Sequence, residues 1–453
     1  MNVVLLTCRF FPEARGGTEA YTYTIAQALR AKGHAVSVVY APVWDKVQMD
    51  RPYQVAVEDG VYEGLVVRKL QFDWKSAPNR HEYLYGCNPI IEKLIVDYLR
   101  RQSAQVVHVT SCNHISLAAL TAPLALGLPT VFTLTDYWTI CPRTTLQKAD
   151  GSFCTGRQNG LVCLACLYGQ TRPLKLIDPC SSRIKGLVAR FVSEFSSASA
   201  WNSSLSLVGA VERRNRYMPD FMSRVHLTAP SRFLAQTISE SGLTPAENIH
   251  YSPHGHDLSR SALGAAKTRS RHLRFGFTGN VIPIKGVHLL VDAFKRLPPD
   301  CGAQLFIYGN ADQESAYGRH VRELASDHPA IFFMGRFDHG DIGSILQGLD
   351  IVVVPSTWYE NAPVTIAEAF SARTPVIATD LGGMAEAVQH GVNGLLFRPN
   401  DADDLAHQMG LLINDNAMLE RLRVGCPPVR TVAEEADGLL ALYTELLHTE
   451  QDG

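Results

Sequence analysis

At 453 residues the chain is too long for one hydrophobic core, so two or three domains are expected. With 46% hydrophobic and 19% charged residues it has the balance of a folded globular protein, which excludes a disordered one. A net charge of −2 supplies no field that would draw the chain to nucleic acid or an anionic membrane surface.

Residues 3–6 read as a strand that follows Met1 and Asn2 directly, with no charged region ahead of it, and no signal peptide is expected. Tyr21, Ile25, Ala28 and Leu29 share one face of a helix that Gly33 ends, and residues 35–40 form the next strand. The intervening loop reads Phe10-Phe11-Pro12-Glu13-Ala14-Arg15-Gly16-Gly17-Thr18-Glu19. Paired glycines before a helix let the backbone approach a ligand and expose N–H groups to phosphate, although tight turns also use them. Residues 106–109 and 130–134 are further strands. The nearly uncharged segment 117–134 is long enough to suggest a membrane span, but Pro123, Gly127 and Pro129 divide it into a buried helix, a turn and a strand. No membrane span is expected.

An insertion at about 141–166 carries Cys141, Cys154, Cys163 and Cys166 among Gly151, Gly156 and Gly160. The two-residue spacing of Cys163 and Cys166 lets both sulfurs reach one tetrahedral ion. Ten cysteines without an export signal imply reduced thiols and a cytoplasmic location. The expectation is a structural zinc that fixes the loop carrying Tyr137, Trp138 and Arg143; four packed or free thiols are the alternative. Between 158 and 224 the pattern dissolves into Ser-rich and Arg-rich helical stretches. The basic run 183–190 is either a solvated helix face or a peripheral contact with an anionic or lipid-linked acceptor at the inner face of a membrane. Residues 227–230 restore a strand, and 261–271 read as a linker.

A second alternating series begins at residues 273–277. Its first helix carries Leu289, Leu290, Ala293, Phe294 and Leu297 and stops at Pro298; strands follow at 305–308, 331–334, 351–354 and 375–379. The loop Thr278-Gly279-Asn280-Val281-Ile282-Pro283-Ile284-Lys285-Gly286 sets Lys285 just ahead of that helix, where an ammonium can neutralise a diphosphate or simply face solvent. After the 351–354 strand, Glu360 lies in a loop and Glu368 on the second turn of the next helix, with Pro363 suited to the first turn. A phosphate-bearing polyol would find hydroxyl acceptors and helix-end N–H groups together there; a capped helix with two solvated glutamates is the plainer reading. Asp401, Asp403 and Asp404 resemble a metal-binding motif but open a helix, where acidic residues suit the dipole. The fold class is therefore α/β, with two tandem Rossmann-like domains at 1–262 and 263–430, a helix at 431–453 returning to the first, and a ligand site in the inter-domain cleft.

In order and spacing these pieces resemble the retaining nucleotide-sugar glycosyltransferases of the GT-B fold, specifically glycosyltransferase family 4, over nearly the whole chain. The resemblance rests on Phe11-Pro12 through Gly16-Gly17-Thr18-Glu19, Gly33-His34, Ala229-Pro230-Ser231-Arg232-Phe233-Leu234 and Pro253-His254-Gly255-His256-Asp257. It continues through Glu360 to Glu368, Thr379 through Gly382-Gly383 to Glu386, and Gly391 to Gly394. It implies a nucleoside diphosphate sugar donor, an acceptor hydroxyl on a glycan, lipid-linked sugar or small molecule, and no metal required for catalysis. Glu360 would take donor-sugar hydroxyls, helped by the backbone of Asn361, Ala362, Pro363, Val364 and Thr365. Glu368 would take the ribose, Lys285 and the Gly17 backbone the diphosphate, and the base would lie near Arg336 and Phe337. The family's usual arginine is Asn280 here and its usual N-domain histidine is Thr135. Asp136 stays on the catalytic list, with His114 or His108 as spatial substitutes for the histidine; Thr135, Tyr137, Trp138, His114 and Arg143 make up the expected acceptor side. A nucleotide-sugar epimerase and a degenerate nucleotide-sugar binding subunit are the rival readings.

Overall fold

A computed structural model describes residues 1–14, 16–42, 55–72, 80–168, 204–257, 267–311 and 315–449. Arg15, the basic run 183–190 and positions 261–266 of the expected linker lie outside the described residues. The chain divides into two compact units, Met1–Pro253 with Ala433–Gly453, and His254–Val432.

The first unit is built on β1 (Asn2–Thr7), β2 (Ala35–Tyr40), β3 (Val55–Tyr62), β4 (Leu65–Phe72), β5 (Val106–Val109), β6 (Thr130–Thr133), β7 (His226–Ala229) and β8 (Ile249–Tyr251), in the order β3-β4-β2-β1-β5-β6-β7-β8. All pairings are parallel except β3 with β4. The short central runs are apolar because helices cover both faces of such a sheet. Helix Gly17–Ala31 covers part of one face and buries Tyr21, Ile25, Ala26 and Leu29, so Ala26 takes the core position expected of Ala28. The β3–β4 hairpin went unrecognised in the sequence. Its two-residue turn, Glu63 (φ 45°) and Gly64 (φ 80°), has the left-handed pair that matches strand twist. The uncharged segment resolves into helix Ala118–Leu124 and β6. Among the described residues no helix is long and apolar enough to cross a membrane.

Helix Val432–Thr449 belongs to this first unit. His108 Nδ1 lies 2.6 Å from Tyr443 Oη, His108 Nε2 lies 2.7 Å from Thr133 Oγ1, and Thr133 Oγ1 lies 2.7 Å from Thr228 Oγ1. The chain of bonds runs from the terminal helix through three neighbouring strands, wholly within the core. Each buried polar group thus has a partner, which removes the cost of its desolvation.

The second unit contains β9 (Leu273–Thr278), β10 (Ala303–Tyr308), β11 (Ile331–Gly335), β12 (Ile351–Val354), β13 (Val376–Thr379) and β14 (Gly394–Phe397), all parallel, in the order β11-β10-β9-β12-β13-β14. Helix Val287–Lys295 packs Leu290, Ala293 and Phe294 onto this sheet. The boundary falls at Pro253/His254, earlier than the expected 262/263. The cause is local: His256 N donates to Arg430 O at 2.9 Å and Val432 N to His256 O at 3.2 Å, which ties 254–257 into the second unit.

Candidate active site

In the second unit the strand order reverses between β9 and β12: the chain runs from β9 outward to β10 and β11, then returns to β12 on the other side. Loops at the carboxyl ends of such a pair diverge and leave a crevice that suits ligands. Lys285 follows β9 and Glu360 follows β12, so the fold brings both to this switch point. They meet there as an ion pair, Lys285 Nζ to Glu360 Oε1 at 2.5 Å. The same oxygen accepts from Ser356 Oγ at 2.8 Å and Trp358 Nε1 at 2.9 Å. Three donors converging on one oxygen hold a carboxylate whose side chain is only 8% exposed. The sequence argument did not foresee this pairing, nor Ser356 and Trp358. Their signal was available, because both lie within four residues of Glu360 in one short loop.

The two loops are also fastened through their backbones. Thr357 N donates to Ile284 O at 2.9 Å, and Gly383 N to Glu360 O at 2.7 Å. Gly286 takes a left-handed conformation (φ 67°, ψ 22°) as the cap of helix Val287–Lys295. A Cβ there would collide with Pro355 O, so only glycine lets the loops approach this closely.

Glu368 stands on the second turn of helix Val364–Ser371 and is buried. Pro363 caps that helix rather than opening its first turn, with extended backbone (φ −67°, ψ 114°). Asn361 is buried, and Ala362, Val364 and Thr365 are half-buried. Thr365 Oγ1 reaches Thr278 O at 3.5 Å, linking this helix to the end of β9. Asn280 is exposed. Arg336, also exposed, and Phe337 follow the edge strand β11, and Phe337 meets Tyr308 edge-on at 6.2 Å. Asp401 caps helix Ala402–Asn414, accepting from Asp404 N at 2.9 Å.

In the first unit the carboxyl ends of β1, β5 and β6 gather a second polar cluster. Gly17 is exposed at the start of its helix. Thr18 Oγ1 donates to Thr135 Oγ1 at 3.0 Å, and Thr135 Oγ1 to Thr110 O at 2.6 Å. Asp136 accepts from Trp138 N at 2.8 Å and Ser111 Oγ at 3.0 Å. Burial of its carboxyl nonetheless holds its pKa above the ordinary value. Beside it Arg9 Nε lies 2.7 Å from Glu19 Oε1, a pair the motif reading did not single out.

Two sequence expectations are corrected. Tyr137 and Trp138 are 0% and 1% exposed, so they pack the core instead of facing an acceptor. Trp138 O accepts from the buried Arg214 Nη1 at 2.8 Å, with that guanidinium 5.4 Å from the indole ring. His108 cannot stand in for the absent histidine, because both its nitrogens are held by Tyr443 and Thr133. The four cysteines of the insertion carry free thiols and lie near enough for each to feel another's charge. Among the described residues, however, no three His, Cys, Asp or Glu side chains form a group able to hold a metal ion. Cys154 Sγ turns to Gly156 O at 3.2 Å and Cys163 Sγ to Gln158 O at 3.9 Å. Burial pushes the Cys163 thiol up to about 12. Backbone bonds also staple the segment: Cys154 N donates to Leu146 O at 2.8 Å and Lys148 N to Ser152 O at 2.8 Å. Helix Gly160–Tyr168 then packs Leu161 and Leu164 on Leu207, Val208 and Val211.

Two family models match the chain. Residues 16–158 match "Glycosyl transferase 4-like domain" and residues 272–415 match "Glycosyl transferases group 1". Glycogen synthase of Mycobacterium tuberculosis is 30% identical over 171 residues, 37% of this chain and 40% of that protein. None of the first curated relatives is covered over more than 60% of its length. Sucrose-phosphate synthase from Thermosynechococcus elongatus shares the fold at TM-score 0.65 and 16% identity, covering 99% of this chain and 100% of that one. The Anabaena protein HepE in complex with UDP and glucose does so at TM-score 0.62 and 17% identity, covering 98% and 99%.

Proposed function

The chain belongs to the GT-B glycosyltransferases that join a 4-like domain to a group 1 domain, and from this we propose that it transfers a sugar from a nucleoside diphosphate to an acceptor hydroxyl with retention of configuration, in glycan, polysaccharide or glycoconjugate synthesis. The observation that carries this reading is the Lys285–Glu360 pair at the switch point of the second sheet. A cation and a carboxylate held side by side suit a ligand that is anionic at one end and hydroxylated at the other. The complex of HepE with UDP and glucose supports the same ligand class.

In the reaction, the bond between the anomeric carbon and the diphosphate oxygen breaks and a bond to the acceptor oxygen forms. The acceptor proton passes to an oxygen of the departing diphosphate. Lys285 and nearby backbone N–H groups stabilise the charge that develops on the leaving group, while Glu360 orients the sugar by accepting from its hydroxyls. Glu368 takes the ribose.

A panel of nucleotide sugars screened by thermal shift identifies the donor, since only ligands that prefer the native state stabilise it. Anomeric NMR of the product of that donor then tests retention, and an inverted anomer would overturn it. An epimerised nucleotide sugar appearing without acceptor would favour the isomerase; a donor that binds but never turns over would favour the binding subunit.

Lys285 supplies the charge that a divalent cation supplies in other transferases. EDTA is therefore expected to leave initial rates unchanged. A rate that collapses with EDTA and returns with magnesium or manganese would refute the metal-free step.

A further inference from the structure

Four of the ten cysteines lie between positions 141 and 166, and the fold of that segment collects them. Cys141 is buried and closes a turn, its N–H donating to Tyr137 O at 2.7 Å. Residues 146–154 fold back as a short hairpin, in which Gln147 bridges Phe153 and Cys154 N donates to Leu146 O at 2.8 Å. Cys163 and Cys166 stand three apart on helix Gly160–Tyr168, hence on one face of it. Cys166 is hydrogen-bonded to the backbone of Ala149 at the turn of the hairpin, so helix and hairpin meet at the cysteines. In every pair among these four thiols, the charge of one reaches the other.

An independent observation calls for negative charge at the same place. Arg214, on helix Ser204–Ser223, is wholly buried and donates from Nη1 to Trp138 O, while its Nε and Nη2 have no hydrogen-bond partner. The titratable groups that act on it most strongly are Cys163, Cys141, Tyr85 and Arg157, and none of them is a carboxylate. The Trp138 ring, 5.4 Å away, adds a cation–π contact but no counter-charge. A buried guanidinium without a counter-ion is costly, and neutral thiols supply none. Four thiolates around one divalent cation carry a net double negative charge, which would.

We infer that Cys141, Cys154, Cys163 and Cys166 bind one zinc ion as four thiolates, and that this anionic centre is the counter-charge of Arg214. Binding exchanges the four S–H protons for the ion, and no electron moves. In the thiol form Cys154 Sγ donates to Gly156 O and Cys163 Sγ to Gln158 O, and among the described residues no three side chains stand ready as a ligand set. Deprotonation removes both donors and frees the two side chains to turn to another staggered rotamer. A site closed by four protein ligands leaves no open position for a substrate, so its role is structural. It fastens the segment that follows Asp136 and takes no part in the transfer step.

Elemental analysis of the full chain, purified without a metal-affinity tag, is expected to find close to one zinc ion per chain. Cobalt exchanged for zinc in the wild-type protein is expected to show thiolate charge-transfer bands and the ligand-field bands of a tetrahedral ion. Cys163→Ser is expected to lose the zinc, and Cys301→Ser, in the second unit, to keep it. The cobalt spectrum needs no variant, so it decides the matter even where the serine protein fails to fold. Arg214→Met is expected to hold zinc about tenfold more weakly in competition with a chromogenic chelator, and Arg214→Lys, which keeps the charge, to stay near wild type. Metal-free protein with four freely reacting thiols, disulfides between them, iron in place of zinc, or a cobalt spectrum without thiolate bands would each overturn the site. Unchanged zinc affinity in Arg214→Met would overturn the role given to Arg214. Because the metal is read directly, the result is independent of whether the chain transfers a sugar.

Discussion

Lys285→Ala is expected to lower sugar transfer by about a hundred- to a thousandfold, the effect of losing one transition-state charge donor. The same variant should bind nucleoside diphosphate more weakly, because the phosphate loses its cation. Glu360→Ala is expected to lose transfer as well, yet to keep or improve its affinity for free nucleoside diphosphate. The difference follows from the ion pair: without a ligand, Lys285 is held by Glu360 at 2.5 Å. Removing the carboxylate frees the ammonium for phosphate, whereas removing the ammonium leaves a buried carboxylate with only Ser356 and Trp358 as partners. Lys285→Ala should therefore also lower stability, by up to about 3 kcal/mol for a broken buried pair, less where solvent reaches the lysine. Calorimetric titration of the diphosphate against both variants, with turnover measured in parallel, separates these effects. Equal loss of nucleotide affinity in Glu360→Ala and Glu368→Ala would refute the assignment of sugar to one carboxylate and ribose to the other.

Gly286→Val is expected to destabilise the second unit by about 3 kcal/mol or more, and to abolish donor binding in whatever fraction remains folded. Two independent costs add at this residue. The backbone holds φ at 67°, where a β-branched residue is strongly disfavoured. The new Cβ would also strike the Pro355 carbonyl, part of the rigid turn that presents Glu360. Urea unfolding monitored with and without nucleotide checks both. A variant with an unchanged midpoint would mean that the two loops can separate at little cost, contrary to the Thr357 N to Ile284 O bond at 2.9 Å.

The central strands were legible because each is a short apolar run between turn residues; residues 351–354 coincide with β12 residue for residue. Several elements at the sheet margins were not. β3 is largely exposed and carries Glu58, Asp59 and Gly60, so no alternating apolar signal marks it. β8 is three residues long, too short for a period to register, and β14 opens on Gly394, which reads as part of the preceding turn. For the site, spacing alone located Lys285, Glu360 and Glu368 on loops that follow strands. It could not show that the first two touch, since contact between residues 75 apart depends on strand order. Tyr137 and Trp138 misled because aromatic side chains read alike whether they pack a core or line a ligand. Arg143 was legible as a loop cation, but its unpartnered Nε became visible only in the folded chain.

The first unit is assembled from two stretches of chain, residues 1–253 and 433–453, with the whole of the second unit spliced between them. A ribosome therefore delivers β5 and β6 long before it delivers Tyr443, the partner of Nδ1 of His108 on β5. At roughly 5–20 residues per second the wait is on the order of fifteen to sixty-five seconds. By the time Tyr443 is made, every strand of the second unit's sheet has already been delivered. The unit encoded first is thus the later of the two to be completed, because helix Val432–Thr449 fastens its core only after the second unit has been made.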